Sequence, residues 1–295
     1  MQSESSRFVV RAARSQPIGD CNDDACGSSP RRLWVLDGAT GVSDRRWTRF
    51  ASDASWLAHT ASDLLRDPQW DGQPLAAALS GLEAQLRAAF IEAVACEGLS
   101  QPGVHEMPSA CLGIVQLLGD EIEVACVGDI SVVVQAPGRL FQVFTDGAAE
   151  PFSRRTLHAW QRARASPHGA NAMWEEACKV IRENRSAMNQ PGGYRVVHPV
   201  LAWAQGVQVH RLPAVAGTRI LLASDGLWRL VDLFREMSPQ ALMQAIEYQG
   251  IGRVLARLRA MEADDPACEA FARVKPGDDA TGMLAELTFA GGAFE

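Results

Sequence analysis

Aspartates stand where four apolar runs of the sequence begin or end. They are Asp37 in LWVLDG, Asp129 in VACVGD, Asp225 in ILLASDG, and Asp278 beside Asp279 in PGDDATGMLAEL. A carboxylate at the end of a strand is held on rigid backbone and faces a cleft, so several can converge on one place. Converging carboxylates repel one another, and hard divalent cations such as Mg²⁺ or Mn²⁺ remove that cost because they prefer oxygen ligands. The pattern therefore predicts a site for divalent cations.

The same dipeptide, Asp-Gly, is also an ordinary turn signal. Asp146-Gly147 follows the apolar run LFQVFT and looks like Asp37-Gly38, yet we do not expect Asp146 to bind a metal ion. No cysteine or histidine pair at zinc-ligand spacing accompanies the aspartates, which disfavours zinc. The cation site is predicted because several such aspartates occur together.

The elements that position these aspartates alternate between short apolar runs and longer helical stretches. Strands are predicted at 8–13, 33–36, 110–118, 121–127, 131–135, 140–144, 196–203, 207–212, 218–223 and 282–289. Helices are predicted at 47–66, 75–96, 156–165, 172–188, 239–249 and 251–263. Two to four turn residues separate several of the strands, which is hairpin spacing and indicates antiparallel sheets. We expect one domain with two antiparallel sheets and helices packed outside them.

Composition excludes several classes of function. The 295 residues carry a net charge of −7 and no cluster of basic residues, so a nucleic-acid groove is not expected. No run approaches the roughly 20 apolar residues of a membrane span, and the N-terminus lacks the apolar core of a signal peptide. The seven cysteines include no C-x-x-C pair and are expected to be reduced. These features predict a cytoplasmic protein with no nucleic-acid or membrane partner, and we expect a monomer.

Five short motifs occur in a fixed order along the chain. They are NDD at 22–24, VLDGATG at 35–41, ACVGDIS at 125–131, LASDGLW at 222–228 and DDAT at 278–281. In that order they resemble the N-E-D, V-x-D-G-x-x-G, A-N-V-G-D-S-R, L-A-S-D-G-L-W and D-N-x-T/S motifs of one family. This family is the metal-dependent Ser/Thr protein phosphatases of the protein phosphatase 2C (PPM) type, and the resemblance is to its bacterial members. Any single motif is weak, but five in order from residue 22 to residue 281 are specific.

The resemblance implies an α+β fold, a four-layer α/β/β/α sandwich in which two central antiparallel sheets are flanked by helix pairs. It implies a single catalytic domain over residues 1–295, in which 150–193 is the variable, flap-like helical segment. It also implies two Mn²⁺ or Mg²⁺ ions, with a third bound more weakly. The residues that match the family's metal site are Asp23, Asp24, Asp37, Gly38, Asp129, Asp225 and Asp278.

The family's roles carry over to these residues by motif. Asp37 is expected to bridge both ions, and the Gly38 carbonyl is expected to bind the second ion. Asp225 and Asp278 are expected to complete the site of the first ion. The implied activity is hydrolysis of phosphoserine and phosphothreonine in a protein phosphorylated by a Ser/Thr kinase, by direct attack of a metal-bridging hydroxide on phosphorus.

The remaining matched aspartates have less direct roles in the family. Asp23 and Asp24 are expected to act mainly through metal-bound waters, and Asp24 is the candidate for orienting the attacking water. Asp129 matches the position that is linked, together with Asp225, to the weaker third ion. The resemblance therefore assigns catalytic roles to Asp24 and Asp37.

Two departures from the family pattern concern the phosphate. Ala39 stands where eukaryotic members often carry a histidine, a proposed general acid, so protonation of the leaving group is expected to fall to a metal-bound water. Many members have an arginine three residues before the asparagine of the first motif, and here that residue is Gly19. Arg14 is the candidate phosphate-binding residue, with Arg45 and Arg46 as alternatives. Arg14 is also consistent with a solvated charge at the edge of a strand.

Alternative functions follow from the same motifs. A haloacid-dehalogenase-type enzyme is rejected, because its nucleophilic aspartate would have to occupy the position of Val35. A pseudophosphatase that binds phosphoproteins without turnover, and a regulator-type relative that acts on phosphoserine of an anti-sigma antagonist, stay open.

The segment 150–193 stands where the family varies, and its first half carries several arginines. They are Arg154, Arg155, Arg162 and Arg164. From this position and local charge we hypothesise that the segment selects the phosphoprotein partner. A solvated helix face is the alternative interpretation of the same residues.

Overall fold

The computed structural model describes residues 6–39, 41–43, 45–100, 102–164 and 170–289. Within these ranges the strands are β1 Ser6–Gln16, β2 Asp24–Ser29, β3 Arg32–Ala39, β4 Ser109–Leu118, β5 Glu121–Val127, β6 Ser131–Gln135, β7 Gln142–Phe144, β8 Val209–Pro213, β9 Arg219–Ala223 and β10 Ala280–Phe289. The α-helices are α1 Asp53–Leu65, α2 Leu75–Cys96, α3 Glu150–Arg164, α4 Ala170–Arg185, α5 Asp225–Trp228, α6 Pro239–Gln249 and α7 Ile251–Asp264. Short 3₁₀ turns lie at Pro68–Trp70 and Gly147–Ala149.

The strands form two antiparallel sheets. One sheet has the order β1-β10-β9-β6-β7, and the other has the order β2-β3-β4-β5-β8. In the first sheet β1 pairs with β10 along most of its length, so segments from both ends of the sequence lie side by side. The second sheet begins with the hairpin of β2 and β3. The expected pair of antiparallel sheets is confirmed.

The alternation of side chains along β3 shows how the layers form. Leu33 and Val35 are fully buried in the apolar layer between the two sheets, where they meet residues of β9 and β10. Trp34 and Leu36 point to the opposite face and are fully buried against α1 and α2. Both faces of β3 are thus covered, and each such side chain contributes about 1.5–3 kcal/mol on burial.

The helices α6 and α7 cover the outer face of the other sheet. Their apolar residues form a third buried cluster with β9 and β10, in which Leu242, Leu255 and Leu258 pack against Leu221 and Leu284. The order of layers is therefore helix pair, sheet, sheet, helix pair. The four-layer α+β sandwich expected from the resemblance is confirmed.

The first long helix begins later than its apolar pattern predicts. Residues 47–66 have helical spacing, but α1 starts at Asp53, where the Ser52 side chain accepts hydrogen bonds from the backbone N–H groups of Ala54 and Ser55. The Asp53 carboxylate accepts from the backbone N–H of Trp47 and of Thr48. These bonds hold 47–52 as a non-helical loop, because a serine cap and an acidic first turn favour a helix start at this point.

The predicted strand 196–203 is wrong. Its only ladder contact within the described residues is an isolated bridge between Val197 and Ala110. Side chains bind its other backbone groups: Glu83 accepts from the N–H of Trp203 and of Ala204. The run is apolar because Trp203 and its neighbours fill the core beneath α2, which sequence periodicity does not separate from a buried strand.

Sequence analysis missed β2 altogether. Its residues, DACGSS, are small and polar and show no alternation of apolar and polar side chains. The strand forms because its whole length pairs with β3, from Asp24 opposite Asp37 to Ser29 opposite Arg32. Tertiary pairing here overrides a low intrinsic strand propensity.

The longest of the helices, α2, has 22 residues. Neither it nor any other helix in the described part of the chain combines the length and the apolar character needed to cross a bilayer.

His198 predicts a dependence of stability on pH. Its side chain is 0% exposed, and Nδ1 accepts hydrogen bonds from the backbone N–H groups of Val200 and Leu201. Burial and the charge of Arg185 lower the pKa of His198 from 6.5 to about 4. Between these two pH values the unfolded chain binds a proton that the folded chain does not, so the free energy of unfolding falls as the pH is lowered. The expected loss between pH 6.5 and pH 4 is about 3 kcal/mol.

Urea denaturation at pH 7, 5.5 and 4.5 measures this dependence. In His198→Asn the amide oxygen replaces Nδ1 as the acceptor and does not titrate, so we expect a smaller loss of stability on acidification. His59→Asn is the matched control, because His59 is exposed on α1. An equal pH dependence in wild type and His198→Asn would contradict the prediction.

Candidate metal centre

Asp24 and Asp37 lie opposite each other on neighbouring strands. Asp24 is the first residue of β2 and pairs with Asp37 near the end of β3. Directly opposite residues of an antiparallel pair have Cβ atoms about 4.5–5.5 Å apart. The buried run of β3 that precedes Asp37 fixes its backbone, and Asp24 is 2% exposed. Two carboxylates are therefore held side by side on rigid structure.

Asp225 and Asp278 reach the same place from the other sheet. Asp225 is the first residue of α5, directly after β9. Asp278 stands two residues before β10, which pairs with β9 through Gly282 opposite Ala223. Because the two sheets are stacked, the ends of β3 and β9 present their carboxylates to one cleft. The sequence spacing of almost two hundred residues between Asp37 and Asp225 is bridged by the fold.

A cavity of about 470 Å³ opens on this cleft. Its lining consists of Ile18, Gly19, Asp20, Cys21, Asp23, Asp24, Asp37, Gly38, Lys275, Asp278 and Asp279. Acidic side chains thus dominate its wall, and carboxylate and carbonyl oxygens are the donors that Mg²⁺ and Mn²⁺ prefer.

The aspartates raise one another's pKa values. Burial, followed by the charges of Asp225, Asp279 and Asp278, raises the pKa of Asp24 to about 8, although a hydrogen bond from Thr281 works in the opposite direction. Without a cation these groups compete for protons at neutral pH.

The same causes act on the other carboxylates. Burial, Asp129 and Asp278 raise the pKa of Asp225 to about 7. Burial raises the pKa of Asp37 well above its ordinary value, and Asp24, Asp225, Asp129 and Asp278 raise it further. Asp129, in the loop after β5, therefore acts electrostatically on both Asp37 and Asp225. The site concentrates negative charge that a bound dication would compensate.

These residues fit a pair of hard dications by their donor chemistry and by their charge. Within the described part of the chain, no group of three or more His, Cys, Asp or Glu side chains lies close enough together to hold a metal ion as it stands. The fit therefore rests on several buried oxygen donors with raised pKa values in one cavity, and not on a closed coordination shell.

Two basic side chains accompany Asp278. Arg229 donates to Oδ2 at 3.0 Å, and the Lys275 ammonium lies 3.3 Å from Oδ1. Arg229 also forms a 2.9 Å ion pair with Glu262 of α7. Partial burial of the Lys275 ammonium in the cleft lowers its pKa, but the charges of Asp278 and Asp225 outweigh this effect and the net pKa is raised. Both basic groups are therefore charged at neutral pH.

The glycines of the two Asp-Gly pairs are needed for close backbone approach. A Cβ on Gly38 would lie 2.5 Å from the carbonyl oxygen of Asp23, and a Cβ on Gly226 would lie 1.9 Å from that of Asp279. Each contact brings a neighbouring segment of the site against the Asp-Gly turn. Gly147, in the similar pair that we did not expect to bind metal, has no atom within 4 Å of such a Cβ.

Asp146 has a different role from the site aspartates. Its side chain accepts a hydrogen bond from the backbone N–H of Ala148 and caps a 3₁₀ turn. The structure agrees that this Asp-Gly pair is a turn signal.

A chain of hydrogen bonds joins the two sheets beneath Asp24. Asn22 Nδ2 donates to Ser15 Oγ at 2.7 Å, Ser15 Oγ lies 2.6 Å from Thr281 Oγ1, and Thr281 Oγ1 donates to Asp24 Oδ2 at 2.7 Å. The Thr281 backbone N–H also donates to Ser224 Oγ at 2.9 Å, next to Asp225. These bonds fix β2 relative to β1, β9 and β10, and so fix the carboxylates of one sheet relative to those of the other.

Asp279 fixes the loop that precedes β2. Its carboxylate accepts from the backbone N–H of Ile18 at 2.9 Å and of Asp23 at 2.7 Å. Asp279 thus positions Asp23 at the cavity wall, whereas Asp278 is the residue of the pair that contacts Arg229 and Lys275.

The structure brings most of the predicted site residues to one cleft. Those that line the cavity are Asp23, Asp24, Asp37, Gly38 and Asp278, and those that act on it electrostatically are Asp129 and Asp225.

Arg14 and its alternatives lie elsewhere. Arg14 is exposed on β1, opposite Gly282, and its Nη1 lies 3.4 Å from a Cβ built on Gly252 of α7. Arg45 stacks over the ring of Trp47 at 5.3 Å, and Arg46 donates to the carbonyl of Ala51. None of the three belongs to the described lining of the acidic cavity. A phosphate-binding role for Arg14 stays a prediction.

The residues that support the aspartates were assigned no such role from the sequence. They are Ser15, Ser224, Arg229, Lys275, Asp279 and Thr281. Thr281 and Asp279 stand inside the DDAT motif, and Ser224 stands inside LASDGLW, so the motifs themselves carried a signal for these three. Nothing in the spacing of Ser15 or Lys275 indicates their role.

A second cavity of about 720 Å³ continues from the first. The two share Asp23, Gly38 and Lys275, and the second is also lined by Ala39, Gly41, Val42, Ser43, Glu175, Cys178, Ile181, Arg182 and Arg185. The helix α4 therefore forms one wall of a groove that leads into the acidic cavity.

Three arginines of α3 form ion pairs away from this groove. Arg154 pairs with Glu150 on the same helix, and Arg164 pairs with Glu269. Arg155 pairs with Glu183 of α4 and helps to hold the two helices together. The arginines that border the groove, Arg182 and Arg185, belong to α4 and not to α3.

The chain matches a known family over most of its length. The profile of the family described as protein phosphatase 2C matches residues 14–258. No curated protein matches the chain in a sequence comparison.

Solved structures of several bacterial proteins have the same fold. The Mycobacterium tuberculosis serine/threonine phosphatase PstP/Ppp is 20% identical and has a TM-score of 0.54, with 96% of this chain and 99% of that chain covered. The catalytic domain of PstP in complex with two manganese ions is 20% identical, has a TM-score of 0.53, and is matched over 96% of this chain and 100% of its own. PppA, a regulatory component of the T6SS in Pseudomonas aeruginosa, is 17% identical with a TM-score of 0.52, over 97% and 99% of the two chains.

The close approach at Gly226 gives a test of the site's construction. In Gly226→Ala the new Cβ would lie 1.9 Å from the carbonyl of Asp279, so the backbone beside Asp225 must shift. We expect a loss of about 3 kcal/mol of stability and a lower affinity for Mn²⁺, measured by thermal unfolding and by calorimetric titration. Gly147→Ala is the matched control, because nothing lies within 4 Å of its Cβ, and it should change stability by less than about 1 kcal/mol. Unchanged Mn²⁺ affinity in Gly226→Ala would contradict this assignment.

Proposed function

The chain belongs to the protein phosphatase 2C family, and from this premise we propose that it is a metal-dependent phosphoprotein phosphatase that hydrolyses phosphoserine and phosphothreonine. The observation that carries the proposal is the convergence of Asp24, Asp37, Asp225 and Asp278 from two sheets on one cleft. Each stands in a motif of the family. The manganese ions of the PstP catalytic domain support the same chemistry.

We propose that this chain also uses Mn²⁺ or Mg²⁺. Asp37, Asp225 and Asp278 would hold the ions through carboxylate oxygens and Gly38 through its carbonyl, with Asp23 and Asp24 contributing through waters. Asp129 would hold a weaker third ion together with Asp225. When bound, two such ions supply an activated water for direct attack on phosphorus and offset the charge of the phosphoryl group.

The side chains of the protein position the reacting groups and orient the attacking water. Asp24 Oδ2 accepts a hydrogen bond from the hydroxyl of Thr281, and the residue lines the cavity. That arrangement suits a group that orients a water. Ala39 provides no side chain to protonate the leaving group, so the proton comes from solvent bound in the site.

A phosphoprotein-binding module without turnover is not favoured. The carboxylates that match the family's metal site are retained, and burial and like charge give them the raised pKa values of a cation site. The cleft is accessible, because the cavity beside Asp24 and Asp37 is open to the groove along α4.

We infer a protein substrate phosphorylated by a Ser/Thr kinase, and propose that residues 1–295 form a single catalytic domain that acts as a monomer in bacterial signalling. The seven cysteines all lie in the described part of the chain and none of them forms a disulfide bond, which supports a reducing, cytoplasmic location. The segment 150–193 is the proposed flap, and its helix α4 supports this role because it borders the groove that leads to the aspartates.

The proposed activity requires Asp37 and Asp225. With Mn²⁺ present, hydrolysis of p-nitrophenyl phosphate is expected to fall by about a thousandfold or more in Asp37→Asn and in Asp225→Asn. Asp146→Asn is the matched control, since Asp146 caps a turn away from the site and asparagine is an equally good cap. Full activity in either site variant would contradict the proposal.

Thermal unfolding of the same variants separates metal binding from folding. At 100 times its dissociation constant Mn²⁺ should raise the Tm of wild type by about 5 °C, and it should have little effect on Asp37→Asn. In EDTA the Asp37→Asn protein should be at least as stable as wild type, because burial and like charge penalise the ionised Asp37. A large loss of Tm in EDTA would mean that the loss of activity reflects misfolding.

The groove beside α4 predicts a change in substrate preference. Arg182 is exposed on α4 and lines the groove. In Arg182→Glu we expect kcat/KM for a phosphoprotein to fall by about three- to tenfold, while kcat/KM for p-nitrophenyl phosphate is unchanged. Arg154→Glu is the matched control, because Arg154 is exposed on α3 and pairs with Glu150. Equal losses on both substrates in Arg182→Glu would show that α4 does not select the partner.

A further inference from the structure

Lys275 lies where the two cavities meet. It stands in the loop between α7 and β10 and lines both the acidic cavity and the groove along α4. Its side chain is 61% exposed, and its ammonium group lies 3.3 Å from Asp278 Oδ1. A ligand that entered the acidic cavity from the groove would pass this ammonium group.

The two basic groups on Asp278 differ in their freedom to move. Arg229 is only 11% exposed and is held on its other side by Glu262, which Arg259 also contacts. Its guanidinium is therefore clamped between two carboxylates. Lys275 has a flexible four-carbon chain and most of its surface in solvent, so its ammonium can turn from Asp278 to another anion without loss of packing.

The described lining of the acidic cavity contains no arginine. Gly19 lines the same cavity as Lys275, and a Cβ at Gly19 would meet no atom within 4 Å. The space next to Gly19 is therefore open, and Lys275 is the basic residue among the described lining of the cavity.

We propose that Lys275 binds the phosphoryl group of the substrate in this chain. The inference rests on the proposed function and names a substrate-binding residue that the motifs do not contain. In this arrangement the ammonium donates to a phosphoryl oxygen while Asp278 serves as a metal ligand, and no bond other than hydrogen bonds is formed. A lysine is a point charge without the two-pronged geometry of a guanidinium, so it attracts the phosphate but orients it weakly.

Steady-state kinetics at saturating Mn²⁺ test the proposal. In Lys275→Ala we expect KM for p-nitrophenyl phosphate and for a phosphothreonine peptide, and the inhibition constant of inorganic phosphate, to rise about tenfold. The value of kcat should stay within about threefold, and Lys275→Arg should restore the affinity for phosphate. Lys179→Ala is the matched control, because Lys179 is the other lysine of the sequence and is exposed on α4.

Chemical modification gives a readout that needs no turnover. Inorganic phosphate should protect Lys275, and not Lys179, from acetylation by acetic anhydride in the Mn²⁺-loaded protein, as measured by mass spectrometry of peptides. Because the measurement does not depend on hydrolysis, it tests Lys275 even if the wild-type protein proves inactive. In that case the proposed function fails while the phosphate site is judged on protection alone.

Three results would overturn the proposal. One is an unchanged inhibition constant for phosphate in Lys275→Ala beside an active wild type. Another is equal acetylation of Lys275 with and without phosphate. The third is a rise in KM that disappears when Mn²⁺ is increased, because Lys275 would then only balance the charge of Asp278 and affect the binding of metal.

Discussion

The repulsion between like charges in a buried cleft is the constraint that the rest of this structure must balance. Burial and mutual repulsion raise the pKa values of Asp24, Asp37 and Asp225, so the carboxylates are unfavourable to the fold as long as no cation accompanies them. The apolar layers on both faces of β3 and around β9 hold them in place against this repulsion. The packed sheets thus hold the carboxylates in a locally unfavourable arrangement. Because two hard cations would remove the repulsion between the carboxylates, the same arrangement favours the binding of cations.

The frame depends on contacts between residues that are remote in sequence. Thr281 accepts from Ser15, donates to Asp24 and binds Ser224 through its backbone, and so touches both sheets. Gly38 and Gly226 allow backbone to approach within distances that a side chain would prevent. These contacts fix the position of one sheet relative to the other at the site, in addition to the apolar packing between the sheets. A shift of one sheet against the other would separate the carboxylates before it exposed much apolar surface.

Local periodicity predicted the elements whose burial is regular. The helices at 75–96 and 239–249 and the strands at 121–127 and 131–135 have the expected bounds, because a single apolar stripe or run decides each of them. Periodicity failed where pairing or side-chain contacts decide the conformation. Small polar residues form β2 because β3 provides a pairing partner for each of them. Residues 196–203 are apolar, but they do not form a strand, because the side chains of Glu83 and His198 bind their backbone N–H groups.

The sequence alone determined which residues have the chemistry of the site. Aspartates at strand ends, two of them followed by glycine, were sufficient to predict oxygen ligands for divalent cations. The short turns between strands predicted antiparallel sheets, and the resemblance of the five ordered motifs implied the α+β sandwich. Tertiary structure decided which side chains surround them. Arg14 belongs to a strand near the site yet lies on an exposed face, whereas Lys275, in a loop with no distinguishing pattern, lies at the opening of the cavity. The reason is geometric: residue type and spacing determine what a side chain can bind, but packing between distant segments determines which cleft it faces.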